Sequence, residues 1–314
     1  DVYGQKMPIN QLGSVTTPEP RMINVQVWDL NNVSLIDSAI KKSELGLNPQ
    51  IDGQLIRLPI PDLSEERRQE IKKMIKTVAS IIIWPIWATV FLLGALLYNI
   101  LMIIFTSKKI HPIARVLCYL FMISGAQWFQ IRGNRPNKDN GPYLYLINHG
   151  SLFDTFMSIS AIPHFVTGVG SAEQFSWPIW GGLATRYGLI PLERTKINSA
   201  VGSLTKLEGA IKKGISAIIA PEGTRTLTGK MNEFKKGAFH VAKNTGVTII
   251  PIALVGAYEA KNKNDWRIMP GKLTAVFGNP IPEDDYKNID IDTLKEKVKS
   301  EIQNILDEWN PITQ

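Results

Sequence analysis

Two short segments hold the residues whose types and spacing could do chemistry. They are His149 and Asp154, in Asn148-His149-Gly150-Ser151-Leu152-Phe153-Asp154, and Glu222, Gly223 and Arg225, in Pro221-Glu222-Gly223-Thr224-Arg225-Thr226. A histidine oriented by an aspartate is a suitable general base, because a neutral imidazole titrates near working pH. Arginine suits a phosphate, since its planar fork donates two parallel hydrogen bonds. Gly223 lets the backbone approach a ligand closely. No Ser or Cys is placed as a covalent nucleophile, which favours direct attack by a substrate hydroxyl whose proton His149 removes. Base, orienting acid and phosphate-binding arginine together suggest acyl transfer to a hydroxyl on a phosphorylated substrate.

The spacing of His149 and Asp154 constrains the local structure. Five residues apart on one continuous helix they would lie about 140° apart and would not meet. They can meet if a helix begins at Ser151, with Ser151 as N-cap and Asp154 at N3 in a capping-box-like pair. His149 then folds back from the preceding loop. Both motif segments directly follow short apolar runs bounded by Gly and Pro, Tyr143–Ile147 and Ile215–Ala220, which read as buried strands. Further runs at Phe165–Gly168, Gly188–Pro191, Val247–Leu254 and Leu273–Phe277 alternate with helical stretches. That alternation over residues 132–314 predicts an α/β sheet covered by helices. Ligands of open α/β sheets bind at the carboxyl ends of the strands. His149, Glu222, Arg194 and Pro251 are all expected there, and Lys235 and Lys236 are candidates for added positive field. Leu294, Val298, Ile302, Ile305, Leu306 and Trp309 form one stripe of an amphipathic helix docked on the sheet.

The 314 residues allow two domains. The net charge of +7 favours anionic partners such as phosphates and lipid headgroups. Cys118 is the only cysteine, which excludes an intrachain disulfide and a Cys-based zinc site. Residues 77–131 read as a membrane-associated helical segment. Val78 to Phe105 carries no charge and exceeds the ~20 residues that cross a bilayer core. Trp84, Trp87 and Tyr98 are expected near headgroups, and Pro85 and Gly94 are tolerated in a membrane helix. A second apolar stretch, Ile110 to Ile131, carries Arg115 and reads as an interfacial helix. Lys72, Lys73 and Lys76 precede the long run, and Lys108 and Lys109 follow it. Positive-inside bias would put both flanks in the cytoplasm, which one span cannot do; a re-entrant hairpin, or two helices that dip and return, can, and the kink-prone Pro85 and Gly94 fit this.

His149-x4-Asp154, Gly188-Leu189-Ile190-Pro191-Leu192-Glu193-Arg194, Pro221-Glu222-Gly223-Thr224-Arg225 and Ile250-Pro251-Ile252 resemble the four ordered blocks of glycerolipid acyltransferases. The nearest resemblance is to the 1-acylglycerol-3-phosphate acyltransferases, over about residues 80–285, and Phe234-Lys235-Lys236-Gly237-Ala238-Phe239-His240 resembles their segment after the third block. The resemblance implies a membrane-bound enzyme of phospholipid biosynthesis. It would move a fatty acyl group from acyl-CoA or acyl carrier protein to lysophosphatidic acid, giving phosphatidic acid, at the cytoplasmic face of the inner membrane. By position, His149 is the base and Asp154 its orienter, while Arg194, Glu222, Gly223, Thr224 and Arg225 bind the glycerol phosphate. The donor is a substrate, so no cofactor and no metal are expected, and no nucleic acid is expected for this domain. The chain departs from the family at Gly170-Ser171-Ala172-Glu173, where a Lys is common. Other acceptors in the same class are glycerol 3-phosphate and other lysophospholipids.

Residues 1–76 carry an unrelated resemblance. Ile23, Val25 and Val27 alternate as in a half-buried strand, Asn31 to Leu45 is helical with Gly46 at C′, and Gln54 to Ile60 reads as a second strand before a helix capped at Ser64. Pro18-Glu19-Pro20-Arg21-Met22, Ser43-Glu44-Leu45-Gly46-Leu47-Asn48-Pro49 and Ile56-Arg57-Leu58-Pro59-Ile60-Pro61 with Ser64-Glu65-Glu66-Arg67-Arg68 resemble ribosome recycling factor. The match corresponds to that factor's small α+β domain and the start of its returning helix. The chain opens at Asp1 in mid-pattern, as if truncated, and departs near Lys76, where the family's helical bundle would follow. The segment is therefore expected not to work as a recycling factor. A membrane-tethered ribosome-interaction protein is the rival reading from a different class.

Overall fold

The computed structural model describes residues 7–43, 45–60, 65–193 and 197–309. It forms two compact units, Asp1–Lys72 and Lys73–Gln314.

The first unit is an antiparallel sheet with one helix. Strands β1 (Gly13–Glu19), β2 (Met22–Val27), β3 (Gln50–Asp52) and β4 (Leu55–Pro59) lie in the order β1-β2-β4-β3, and α1 is Val33–Lys42. Period-two alternation sends Val25 and Val27 inward against Ile36 of α1 and Ile56 and Leu58 of β4. The short strands β1 and β3 left no apolar pattern in the sequence, because nearly all of their residues are exposed. Helix α1 stops at Lys42, so Gly46, at φ +65°, belongs to the turn that follows and is not the C′ residue expected for it. The expected cap Ser64 lies outside the described residues.

Helix α2 (Glu65–Ile104) crosses into the second unit and is followed by α3 (Ser107–Ser124). Then come β5 (Gln127–Arg132), β6 (Tyr143–Ile147), α4 (Asp154–Ala161), β7 (Val166–Ser171), α5 (Trp180–Tyr187), β8 (Ile190–Leu192), α6 (Ile197–Lys212) and β9 (Ser216–Ile219). The unit closes with α7 (Gly237–Thr245), β10 (Thr248–Val255), α8 (Ala257–Ala260), β11 (Gly271–Phe277) and α9 (Ile291–Glu308). The sheet order is β5-β11-β10-β6-β9-β7-β8, parallel at every pairing except β10 with β11. The expected α/β sheet covered by helices is thus the fold observed. Central β6 shows how its core is split. Tyr143, Tyr145 and Ile147 pack toward α3 and α4, whereas Leu144 and Leu146 pack toward α6, α7 and α9. Leu294, Val298, Ile302 and Ile305 of α9 are the buried stripe the sequence announced.

The apolar segment departs from expectation in three ways. First, α2 is continuous through Pro85 and Gly94, and the chain reverses only at Phe105-Thr106. Gly94 leaves room for α3, since a Cβ there would stand 2.8 Å from the Phe121 ring. Second, the stretch Ile110–Ile131 is not one helix. It ends at Gly125, and Ala126, at φ 55°, turns the chain into strand β5, which pairs with β11. Uniform hydropathy concealed that change of period. Third, the aromatic rings are packed against protein. Trp87 stacks on Phe91 and meets Phe121 and Phe156 edge-on or tilted, Trp84 donates its indole N–H to the Trp266 carbonyl at 2.9 Å, and Tyr98 is buried.

Among the described residues, Arg67–Ile104 is the one helix long and apolar enough to cross a membrane. Only 22% of its most apolar window is buried, too little for the core helix of a soluble domain. Ile81, Ile82, Leu93, Leu96, Ile103 and Ile104 all project outward. Bonds to the rest of the unit fix this helix near both ends. Lys76 pairs with Asp265 at 3.3 Å, and the Ile268 N–H donates to Ser80 Oγ at 2.7 Å. Farther along, Arg186 donates to Asn99 Oδ1 at 2.5 Å, and Ser107 donates to the Arg186 carbonyl at 2.8 Å.

Candidate active site

The loop between β6 and α4 carries His149, and α4 begins at Asp154. His149 Nδ1 and Asp154 Oδ2 are 2.7 Å apart. The same Oδ2 accepts the backbone N–H groups of Gly150 and Ser151, each at 2.8 Å. One oxygen receiving three donors is a carboxylate's role, so Nδ1 carries the hydrogen and Nε2 is left with its lone pair. The imidazole is about one-quarter exposed, while Asp154 is buried at the first turn of α4, where the helix dipole favours its negative charge. Only half of the expected capping box forms. The helix starts at Asp154, not Ser151, and Ser151 Oγ accepts from Phe153 N at 3.2 Å and donates to the Lys261 carbonyl at 2.8 Å.

The turn after β9 grips His149 from the other side. Glu222 Oε1 accepts the His149 N–H at 2.7 Å, and the Thr226 N–H donates to the His149 carbonyl at 2.9 Å. Glu222 Oε2 accepts from Asn232 N at 2.8 Å. Burial raises the Glu222 carboxyl above its ordinary value, and these two backbone bonds pull it partly back. Both Glu222 oxygens are thus engaged by backbone donors, and the side chain is buried. Gly223 has φ +72°, a backbone conformation that favours glycine, and the Lys235 side chain lies 3.1 Å from where a Cβ would stand. Lys235 thus lies across Gly223, whereas its neighbour Lys236 turns away to Asp292 at 2.7 Å. Thr224 is exposed and Arg225 half-buried. Among the described residues the Arg225 side chain has no hydrogen-bond or ion-pair partner.

Of the other expected positions, one is not described and one falls elsewhere. Arg194 lies outside the described residues. Pro251 is buried within β10, level with Leu146, and short of the strand's end at Val255, so it is part of the sheet and not of the crevice. Conversely, three residues at the crevice had no motif to reveal them. Asn148 joins the end of β6 to β10, accepting from Leu254 N at 2.7 Å and donating to its carbonyl at 3.1 Å. Tyr258 packs on Gly150 and Gly229 and donates its hydroxyl to the Leu227 carbonyl at 2.8 Å. Lys261 is buried beneath the Ser151 hydroxyl. Asn148 alone left a sequence signal, as the first polar residue after an apolar strand.

Beside α4 lies an apolar cavity of about 80 Å³. Phe91, Gly94 and Tyr98 of α2, Phe121 of α3, Phe156 of α4 and Trp180 of α5 are among its walls. Thr155 and Phe156, directly after Asp154, belong to it, so the cavity adjoins the histidine loop. Among the described residues no group of His, Cys, Asp and Glu could hold a metal ion.

The family model described as Acyltransferase matches residues 129–255, the segment that holds this crevice. In sequence this segment is similar to acyltransferases. The resemblance carried by the ordered blocks is borne out by that match. The fold agrees with a solved structure, the 1-acyl-sn-glycerophosphate (LPA) acyltransferase PlsC from Thermotoga maritima. The TM-score is 0.64 at 21% identity, covering 76% of this chain and 97% of that one. The model for ribosome recycling factor matches residues 1–82. Recycling factors from Zymomonas mobilis and Rhizorhabdus wittichii are 61% identical over 75 residues and 58% over 74. Each match covers 24% of this chain, and the chain spans only 40% of the length of those relatives.

Proposed function

We propose that the second unit transfers a fatty acyl group from a thioester donor, acyl-CoA or acyl carrier protein, to the free hydroxyl of 1-acylglycerol 3-phosphate, forming phosphatidic acid. The observation that carries this reading is the His149–Asp154 pair, with Nε2 left as the open basic atom in a crevice that also holds an unpartnered Arg225. Nε2 takes the proton of the acceptor hydroxyl as its oxygen attacks the thioester carbonyl. A tetrahedral intermediate forms, the carbon–sulfur bond breaks, and the departing thiolate recovers the proton from the imidazolium. Asp154 holds the ring and stabilises its charged form. Arg225 provides the bidentate contact for the acceptor's phosphate, Thr224 lies exposed beside it, and Arg194 completes the proposed set. Glu222 positions the base through backbone bonds, and Gly223 keeps the turn open. The apolar cavity offers room for part of an acyl chain. The Thermotoga maritima neighbour, by name an acyltransferase for 1-acyl-sn-glycerophosphate, supports the same acceptor.

The membrane reading follows from α2. From Ser80 to Asn99 the helix is about 30 Å long, comparable with a bilayer core. Both of those residues bond the same unit that carries the crevice. A helix that crossed the bilayer would drag that unit with it. The arrangement favours α2 lying along the domain with its outward face in one leaflet. Lys108 and Lys109, beside the reversal, are placed to meet anionic headgroups of the cytoplasmic leaflet.

The test is acyl transfer by detergent-solubilised protein, wild type beside His149→Ala. Radiolabelled acyl-CoA and acyl-loaded carrier protein would each be paired with lysophosphatidic acid and glycerol 3-phosphate. Labelled phosphatidic acid from the wild type alone is the expected result. Product with glycerol 3-phosphate only would overturn the acceptor, and equal product from the variant would overturn the base.

A further inference from the structure

Lys261 is an expensive residue to bury. An ammonium taken out of water needs a counter-charge or a full set of acceptors. The Lys261 side chain, in a residue only 8% exposed, has a single hydrogen-bond partner among the described residues, the Asn262 carbonyl at 2.8 Å. No carboxylate lies within ion-pair distance of it among the described residues. Asp265, the acid whose charge reaches Lys261, is engaged elsewhere, as are two acids of the crevice. Asp265 bonds Arg267 at 2.8 Å and Lys76 at 3.3 Å, Asp154 holds His149, and Glu222 holds two backbone N–H groups.

The second unpartnered cation of the crevice is close by. Lys261 is tied to the histidine loop through Ser151 Oγ, and Arg225 is tied to it through the neighbouring Thr226 N–H on the His149 carbonyl. Tyr258, three residues before Lys261, bonds the Leu227 carbonyl, two residues after Arg225. Burial lowers the Lys261 ammonium from its ordinary value, the Arg225 charge lowers it further, and the Asp265 charge pulls it only partly back, so the two cations feel one another. Two positive groups with no ion-pair partner among the described residues, both tied to the loop of the proposed base, form an unfinished ion cluster. The carboxyl end of β7 does not supply the missing partner or a competing cation, since Gly170-Ser171-Ala172-Glu173 contains no basic residue.

We propose that Lys261 and Arg225 bind a phosphate monoester between them, with Lys261 as the buried point charge and Arg225 as the fork. Phosphate is the ligand whose charge and oxygen count answer both groups at once. The inference rests on the acyltransferase reading for the identity of the phosphate, which is carried either by the acceptor or by the 3′-phosphate of coenzyme A. The backbone carbonyl of Lys261 holds Ser151, so a side-chain substitution leaves that bond in place.

The experiment compares wild type, Lys261→Met and Lys261→Arg in two assays. One is acyl transfer with lysophosphatidic acid and acyl-CoA varied in turn. The other is calorimetric binding of glycerol 3-phosphate and of adenosine 3′,5′-bisphosphate. Loss of one charged hydrogen bond should weaken the bound phosphate about tenfold or more. In Lys261→Met, a KM for lysophosphatidic acid raised by that factor, with kcat little changed and glycerol 3-phosphate binding weakened in step, supports the site and assigns it to the acceptor. A KM raised for acyl-CoA instead, with weaker binding of the bisphosphate, supports the site and assigns it to the donor. Lys261→Arg should restore most of either loss. Unchanged KM values and unchanged affinities overturn the proposal, as does a fall in kcat alone that arginine does not rescue. If no acyl transfer occurs with any acceptor, the functional reading fails, and the calorimetric arm still decides the phosphate site.

Discussion

The two units of this chain resemble known proteins in opposite ways. The first is 61% identical to a recycling factor but spans only 40% of that protein's length. The second shares only 21% identity with its structural neighbour, yet the match covers 97% of that chain. Identity records how recently two sequences diverged. Coverage records how much of a fold is shared. A crevice assembled from β6, β9 and β10 needs every one of those strands, and the second unit has them. The first unit has a small sheet and one helix, and its chain then runs into an apolar helix.

The largest effect that could break this contrast is at His149. Replacing it with alanine should lower kcat for acyl transfer about 10²- to 10⁴-fold. Activity within a few-fold of wild type would show that the second unit shares the fold without using this base. Next comes the first unit. The full chain should give no measurable acceleration of ribosome splitting in a post-termination assay beside an authentic recycling factor. Comparable rates would mean that the short segment suffices.

A finer comparison lies inside the crevice. Glu222→Gln keeps the shape and one acceptor oxygen but replaces a charged acceptor that serves two backbone donors. It should cost about 2–3 kcal/mol of stability, read as a lower midpoint in chemical denaturation of the second unit and no change in the first. A midpoint unchanged from wild type would count against the clasp. The smallest effect concerns Asp265. Burial alone would raise its carboxyl, but hydrogen bonds from Arg267 and Lys76 outweigh burial and hold it well below the usual carboxylate range. A depressed folded-state value stabilises the protein above the ordinary carboxylate pKa of about 4. That contribution disappears as pH falls through the folded value. The melting-temperature gap between wild type and Asp265→Asn should therefore be full at pH 6 and narrow as pH drops below about 4. A gap that widened in acid would refute the assignment.

Much of the second unit was legible because buried strands are short and uniformly apolar. Tyr143–Ile147 matches β6 residue for residue, and Val247–Leu254 is within one residue of β10 at each end. The pairing of His149 with Asp154 was legible because a five-residue spacing makes sense only across a loop and a helix start. Strand β5 was hidden by its surroundings, since an apolar helix before it and a lone reversal at Ala126 leave no break in hydropathy. Lys261 and Tyr258 were hidden for another reason. They reach the crevice from beyond β10, and long-range packing of that kind leaves no local spacing to read. The role of Glu222 was half legible. Its place at a strand end was evident, but only hydrogen-bond geometry shows that backbone donors take both of its oxygens.

Lys76, Ser80 and Trp84 stand four residues apart, so they emerge from nearly the same side of α2 on successive turns. Their partners, Asp265, Ile268 and Trp266, lie in one short stretch before β11. A helix pinned at one turn is free to spin about its own axis. Three pins in a line remove that freedom and set its azimuth. The direction in which Ile81, Ile82 and Leu93 point is thus decided by protein contacts before any lipid arrives. The greasy side of α2 is a permanent facet of the folded domain, present equally in detergent, in a bilayer or in water. That facet also makes the folded protein prone to self-association whenever amphiphile is removed.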